Sequence, residues 1–188
     1  RNAIRSYKRY VYLMNKGILP IEAIKMYNKA FKDFNYKLED NKMSILVAGH
    51  AYNLYDDYLN MDVINKLIGK NINVLTPEMI SDTKIIEYSN KLPKRMFWTH
   101  GRRIIGSSFN LIEEGRIDGI IYLSSFGCGM DSVLVDLIER KATVNKIPFT
   151  LLTLDEQTGE AGVNTRLEAF IDMIKWRYKN DINISTFR

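Results

Sequence analysis

Four short runs of the chain are apolar without alternation: Met43–Ala48 (MSILVA), Asn71–Leu75 (NINVL), Gly119–Phe126 (GIIYLSSF) and Pro148–Leu154 (PFTLLTL). A strand with one wet face alternates apolar and polar residues, whereas a strand covered on both faces stays apolar. Between the runs the spacing becomes helical. Val63, Ile64, Leu67 and Ile68 share a face that ends at Gly69. Ile104, Ile105, Ser108 and Ile112 mark a longer helix over about residues 94–114, stopped by Gly115. Val133, Leu134, Leu137 and Ile138 mark a helix opening at Asp131, and Leu167, Phe170, Ile171 and Ile174 a last one. Residues 78–92 read as a short helix and a loop. Buried strands alternating with amphipathic helices predict an α/β domain with a parallel sheet and right-handed crossovers. The expected form is a doubly wound four-stranded sheet of order 2-1-3-4 within residues 43–180.

Residues 1–40 carry a different pattern. Tyr7, Tyr10, Val11 and Met14 share one helical face, and Ile21, Ile24, Tyr27 and Phe31 make a second stripe after a break at Gly17–Pro20. Pro20 suits the first turn of a helix. The segment is expected to be a helical hairpin packed on the main domain.

In an open parallel sheet ligands bind outside the carboxyl ends of the strands, where the strand order reverses. Order 2-1-3-4 puts that point between the first and third strands. Two loops then face one crevice: His50–Asp57 (HAYNLYDD) and the turn Gly127-Cys128-Gly129, with the loop Asp155–Gly162 beside them. Cys128 is the only cysteine. Glycines on both sides let backbone approach a ligand, and free N–H groups at the start of the next helix stabilise negative charge there. A thiolate in that place is a nucleophile, a redox group or an iron–sulfur ligand; the plain alternative is a small residue closing a strand. A nucleophile needs a base, and His50 is the histidine the topology brings closest, His100 lying near the next helix. One cysteine and two histidines without local spacing make a poor tetrahedral set, so a complete zinc site is not expected. Tyr52, Asp155, Glu156 and Arg166 complete the candidate ligand-binding residues; Arg166 suits an anion or a carboxylate partner. Thr165 or Asn164 is expected to cap the last helix, with Glu168 completing a capping box. There is no phosphate-binding P-loop motif and no G-x-G-x-x-G.

Composition narrows the classes. The chain has 188 residues, 46% of them hydrophobic and 26% charged, which suffices to bury a core. No apolar run reaches the roughly 18 residues of a membrane span, and no signal peptide is visible, so a cytoplasmic location is expected. A first residue of Arg points to a piece of a longer protein. The net charge is +5, but the basic residues are dispersed and no arginine-rich arm stands out, so nucleic acid is not an expected partner. Anionic small ligands such as nucleotides or acyl-CoA suit this balance.

Three segments taken in order, GHAYNLYDDYLN (Gly49–Asn60), SSFGCGMDS (Ser124–Ser132) and LDEQTGEAGVNTRLEAFIDMI (Leu154–Ile174), resemble the 2-hydroxyacyl-CoA dehydratase component family, and most closely its acyl-CoA dehydratase activase-related branch. The resemblance covers about residues 43–175 and leaves out the first forty. It implies a Rossmann-like α/β domain of an iron–sulfur protein, with Cys128 in the F-x-C-G-x-D-S pattern as a ligand of a [4Fe–4S] or related cluster and Asp131 capping the next helix. It further implies other domains or subunits, an ATP-hydrolysing activator and an acyl-CoA substrate as partners. Ala51 stands where the related loop has proline, Gln157 where histidine is common, and Met130 where proline is usual. One cysteine is short of the four or so ligands a cluster takes, so the isolated domain is expected to hold none. A non-catalytic domain that docks a partner is the alternative, and a hydrolase using Cys128 and His50 a third.

Overall fold

The computed structural model describes residues 2–27, 38–39 and 41–185. Its sheet has four parallel strands: β1 (Ser44–Gly49), β2 (Asn73–Leu75), β3 (Gly119–Ser125) and β4 (Phe149–Leu154), in spatial order β2-β1-β3-β4. The expected order 2-1-3-4 is therefore the observed one. β1 and β3 pair at the centre from Ile45↔Gly119 to Gly49↔Leu123. From Ile45 to Gly49 and from Gly119 to Ser124 every residue is buried, which is why these runs carry no polar alternation. β4 lies at an edge and is only partly covered, with Leu151 exposed.

Eight helices complete the described chain: α1 (Asn2–Asn15), α2 (Pro20–Tyr27), α3 (Ala51–Tyr55), α4 (Val63–Gly69), α5 (Asp82–Ser89), α6 (Thr99–Glu113), α7 (Gly129–Val144) and α8 (Glu160–Ser185). A single 3-10 turn spans Pro77–Met79. α4 and α8 are linked by the ion pairs Lys66–Glu160 at 2.5 Å and Lys70–Glu168 at 3.0 Å. α6 packs on α7, where Lys141 meets Glu113 at 2.7 Å. No helix among the described residues is long and apolar enough to cross a membrane.

Several local expectations need correction. β2 starts at Asn73, not Asn71, because Asn71 takes a left-handed conformation (φ 63°) in the turn before it. The loop His50–Asp57 contains α3, a helix too short to show a period. α6 starts at Thr99 rather than near residue 94, and Val133 points to solvent from α7. α8 begins at Glu160, so Thr165 is inside the helix. Its hydroxyl donates to the Ala161 carbonyl and forms no capping box with Glu168, which pairs with Lys70. In the N-terminal segment α1 packs on α2 and touches the Pro77–Met79 turn. Met14, Leu19 and Ala23 are buried, but Ile21 and Ile24 of the second stripe are exposed; Phe31 lies outside the described residues.

Gly49 fixes how β1 meets the crevice. Its φ is +146°, and a Cβ built there would lie 2.4 Å from the Leu123 carbonyl oxygen. Only glycine lets β1 end this close to β3, and the next residue, His50, emerges at the carboxyl edge of the sheet.

Candidate functional site

His50 leaves β1 with extended backbone, and its carbonyl accepts from the N–H groups of Asn53 and Leu54, which starts α3. Cys128 takes the N-cap position of α7, just after the Gly127 turn (φ +75°). Asp131 is in the first turn of α7 with no exposed surface. The topology brings these three side chains together: one donor atom each of His50, Cys128 and Asp131 lies within 4.8 Å of the other two. His50 is nearly buried and Cys128 half-buried. Gly127 and Gly129 are exposed, and a Cβ added at either would meet nothing within 4 Å, so the turn on both sides of Cys128 is open.

Asp131 does not cap α7, contrary to what the resemblance implied. Its carboxyl turns inward and accepts from the Tyr122 hydroxyl at 2.7 Å on Oδ1 and from the Ser124 hydroxyl at 3.1 Å on Oδ2. A carboxyl at this depth needs such donors. Burial, and then the bond to Asp131, push the Tyr122 phenol well above its usual value, so it stays protonated as a donor. His50 Nε2 stands 3.3 Å from Asp131 Oδ1, long for an N–H···O bond. The Tyr52 ring stacks on His50 (centroids 5.3 Å apart, planes 5° apart), and His100 at the start of α6 meets it edge-on at 6.2 Å. Asn53 ties α3 to β3: its amide donates to the Leu123 carbonyl, and Ser125 donates to its oxygen at 3.0 Å.

Tyr52 also lines a crevice of about 800 Å³ with Asn53, Tyr58, Ser125, Leu154, Asp155 and Glu156. Asp57, Asp62 and Glu160 add carboxylates to its wall. Asp155 is largely occupied within its own turn. It accepts from the Thr158 hydroxyl (2.7 Å) and the Gln157 N–H (2.9 Å), and these bonds hold its carboxyl below the usual carboxylate range. Arg166 is exposed on α8 and is not part of the crevice wall. Of the residues singled out from sequence, then, His50, Cys128, Gly127, Gly129 and Tyr52 gather at one place, with Asp155 and Glu156 in the adjoining crevice and Arg166 apart from it. Sequence reasoning missed Tyr122, Ser124 and the inward role of Asp131. A lone hydroxyl-bearing aromatic in an aliphatic strand is the signal that could have found the first.

The convergence bears on chemistry. In a nucleophile–His–acid triad the imidazole stands between the other two groups and uses a different nitrogen for each. Here the cysteine and aspartate donors lie close to each other as well as to the histidine, all within 4.8 Å, so the three could hold one ion.

A family model described as a CoA enzyme activase uncharacterised domain matches residues 2–80. The match takes in the N-terminal helices, β1, His50 and β2, and stops before β3 and Cys128. No curated protein matches the chain.

Proposed function

We propose that this chain is the crevice domain of a CoA enzyme activase-related protein and that Cys128 is its metal-ligating thiolate. The observation that carries this is the trio itself: a half-buried thiol between two open glycines, with a histidine and a buried carboxyl converging on it. The match to residues 2–80 supports the activase-related part. The iron–sulfur, dehydratase-like part rests on the resemblance of the Cys128 and Asp155 segments. A cluster takes about four ligands on separate irons, and this chain has one cysteine, with its neighbouring donors converging on a single point. The chain alone does not fit a cluster. In an iron–sulfur parent, Cys128 supplies one thiolate and other domains or subunits the rest. The carboxylates of the crevice set like charge against the phosphates of an acyl-CoA, so the acyl end, not the nucleotide end, suits the space beside Tyr52 and Leu154.

The test is anaerobic iron and sulfide analysis of the full-length parent and its Cys128→Ser variant. The reading expects metal to fall in the variant; identical metal content in both would overturn it.

One feature favours the docking alternative. Ile4, Tyr7, Tyr12, Ile21 and Ile24 are exposed on α1 and α2, and Tyr7 and Ile24 among them line an apolar hollow with Ser6 and Tyr10. Such a face suits another domain or a subunit such as an activator ATPase.

A further inference from the structure

We infer that His50, Cys128 and Asp131 bind a single divalent transition-metal ion of the zinc class, with a fourth position open on the side of Gly127 and Gly129. The inference rests on the reading that Cys128 ligates metal, and it departs from the iron–sulfur form in needing one ion and no ligand from outside the chain. A count of cysteines and histidines alone discounts a zinc site; the fold supplies the missing donor, Asp131, from the first turn of α7.

Three features support it. First, the donor set is one sulfur, one imidazole nitrogen and one carboxylate oxygen, and three protein ligands with an open fourth place are the pattern of reactive rather than purely structural zinc sites. Sulfur and imidazole select zinc-class ions over magnesium or calcium. Second, the spacing fits. Zn–N and Zn–O bonds of about 2.0–2.1 Å at tetrahedral angles put the two donor atoms about 3.3 Å apart. His50 Nε2 and Asp131 Oδ1 are 3.3 Å apart, a separation too long for a good hydrogen bond and right for the edge of such a tetrahedron. The sulfur lies within 4.8 Å of both, and the Cys128 side chain is only half-buried. Third, the outer partners are in place. Tyr122 and Ser124 each donate to Asp131, which fixes the carboxylate and leaves lone pairs for an ion. Tyr52 stacked on His50 holds the ring plane. A Cβ at Gly127 or Gly129 would meet nothing within 4 Å, so the turn that carries Cys128 leaves room beside it for water or a substrate oxygen.

Titration of the metal-free chain with Co²⁺, followed by absorption, tests this. Tetrahedral Co²⁺ bound by a thiolate gives visible ligand-field bands and a sulfur-to-metal charge-transfer band in the near ultraviolet. The expected result is saturation at one Co²⁺ per chain and bleaching by Zn²⁺. Cys128→Ser should lose the charge-transfer band, and His50→Gln should weaken Co²⁺ binding by about 100-fold or more. Unchanged far-ultraviolet circular dichroism in both variants shows that the fold is intact. No Co²⁺ uptake, or a charge-transfer band that survives in Cys128→Ser, would overturn the inference. If uptake fails while the parent's metal still depends on Cys128, the single-ion site falls and the metal-thiolate reading stands; if neither depends on Cys128, both fall.

Discussion

Tyr122 sits in the middle of β3 with no exposed surface, and its hydroxyl serves the Asp131 carboxyl. Its phenol is raised by burial first and by Asp131 second. A group whose folded-state value is raised contributes stability that is complete below the unfolded value, about pH 10 for tyrosine, and is lost as pH climbs through the folded one. Tyr55, raised by burial and by Glu78, acts in the same direction. Stability in urea should therefore hold through neutral pH and decline above about pH 10. Tyr122→Phe leaves the buried carboxyl one donor short, at a cost of about 1–3 kcal/mol near pH 7. The variant has no phenol to ionise there, so its deficit should narrow at pH 11. Urea unfolding of both proteins at the two pH values checks this, and a deficit that grows at pH 11 would count against the assigned role. Nothing local in the sequence announces this pairing, because Tyr122 and Asp131 lie on opposite sides of a strand-to-helix turn. Asp131 three residues after Cys128 looks like a capping residue until the fold turns it inward.

At the level of elements, strand positions were legible because burial on both faces leaves a plain apolar run. The run order then left only a few topologies, and the reversal between β1 and β3 brings His50 beside Cys128, but the crevice itself is lined by residues of the loop after β1, Ser125 and the Asp155 loop, without the Gly127–Gly129 turn. The helix starts were less legible. α3 has five residues and shows no period, and α8 begins six residues before Arg166, within a polar stretch that reads as loop. Close packing between helices was also invisible. Gly106 of α6 faces α5, and a Cβ there would lie 2.4 Å from the Ile85 carbonyl oxygen and 2.9 Å from its Cα. Both contacts are backbone, so α5 must move. Alanine is a better helix former than glycine by roughly 1 kcal/mol, but overpacking costs about 1–3 kcal/mol, and the second effect should win. Gly106→Ala is expected to lower Tm by a few degrees in a thermal melt. A higher Tm would mean that the α5–α6 contact has room to spare.

For the whole molecule, charge is distributed unevenly. The chain carries +5 overall, yet the crevice at the carboxyl ends of the strands is walled by Asp57, Asp62, Asp155, Glu156 and Glu160. Overall basicity therefore predicts little about this site, whose wall is acidic although Glu160 is paired with Lys66. The same edge of the sheet holds the convergent trio, reached from β1 through His50 and from β3 through Cys128 and Asp131. Two strands adjacent in space but far apart in sequence thus build one donor set, as the switch point of a doubly wound sheet allows.

The most direct test of that claim is an anomalous difference map from crystals of the chain grown with Zn²⁺, with data on both sides of the zinc absorption edge. One strong peak per chain is expected, about 2.0–2.3 Å from His50 Nε2, Cys128 Sγ and a carboxylate oxygen of Asp131. A map with no peak there, or with its only peaks on surface carboxylates, would contradict it.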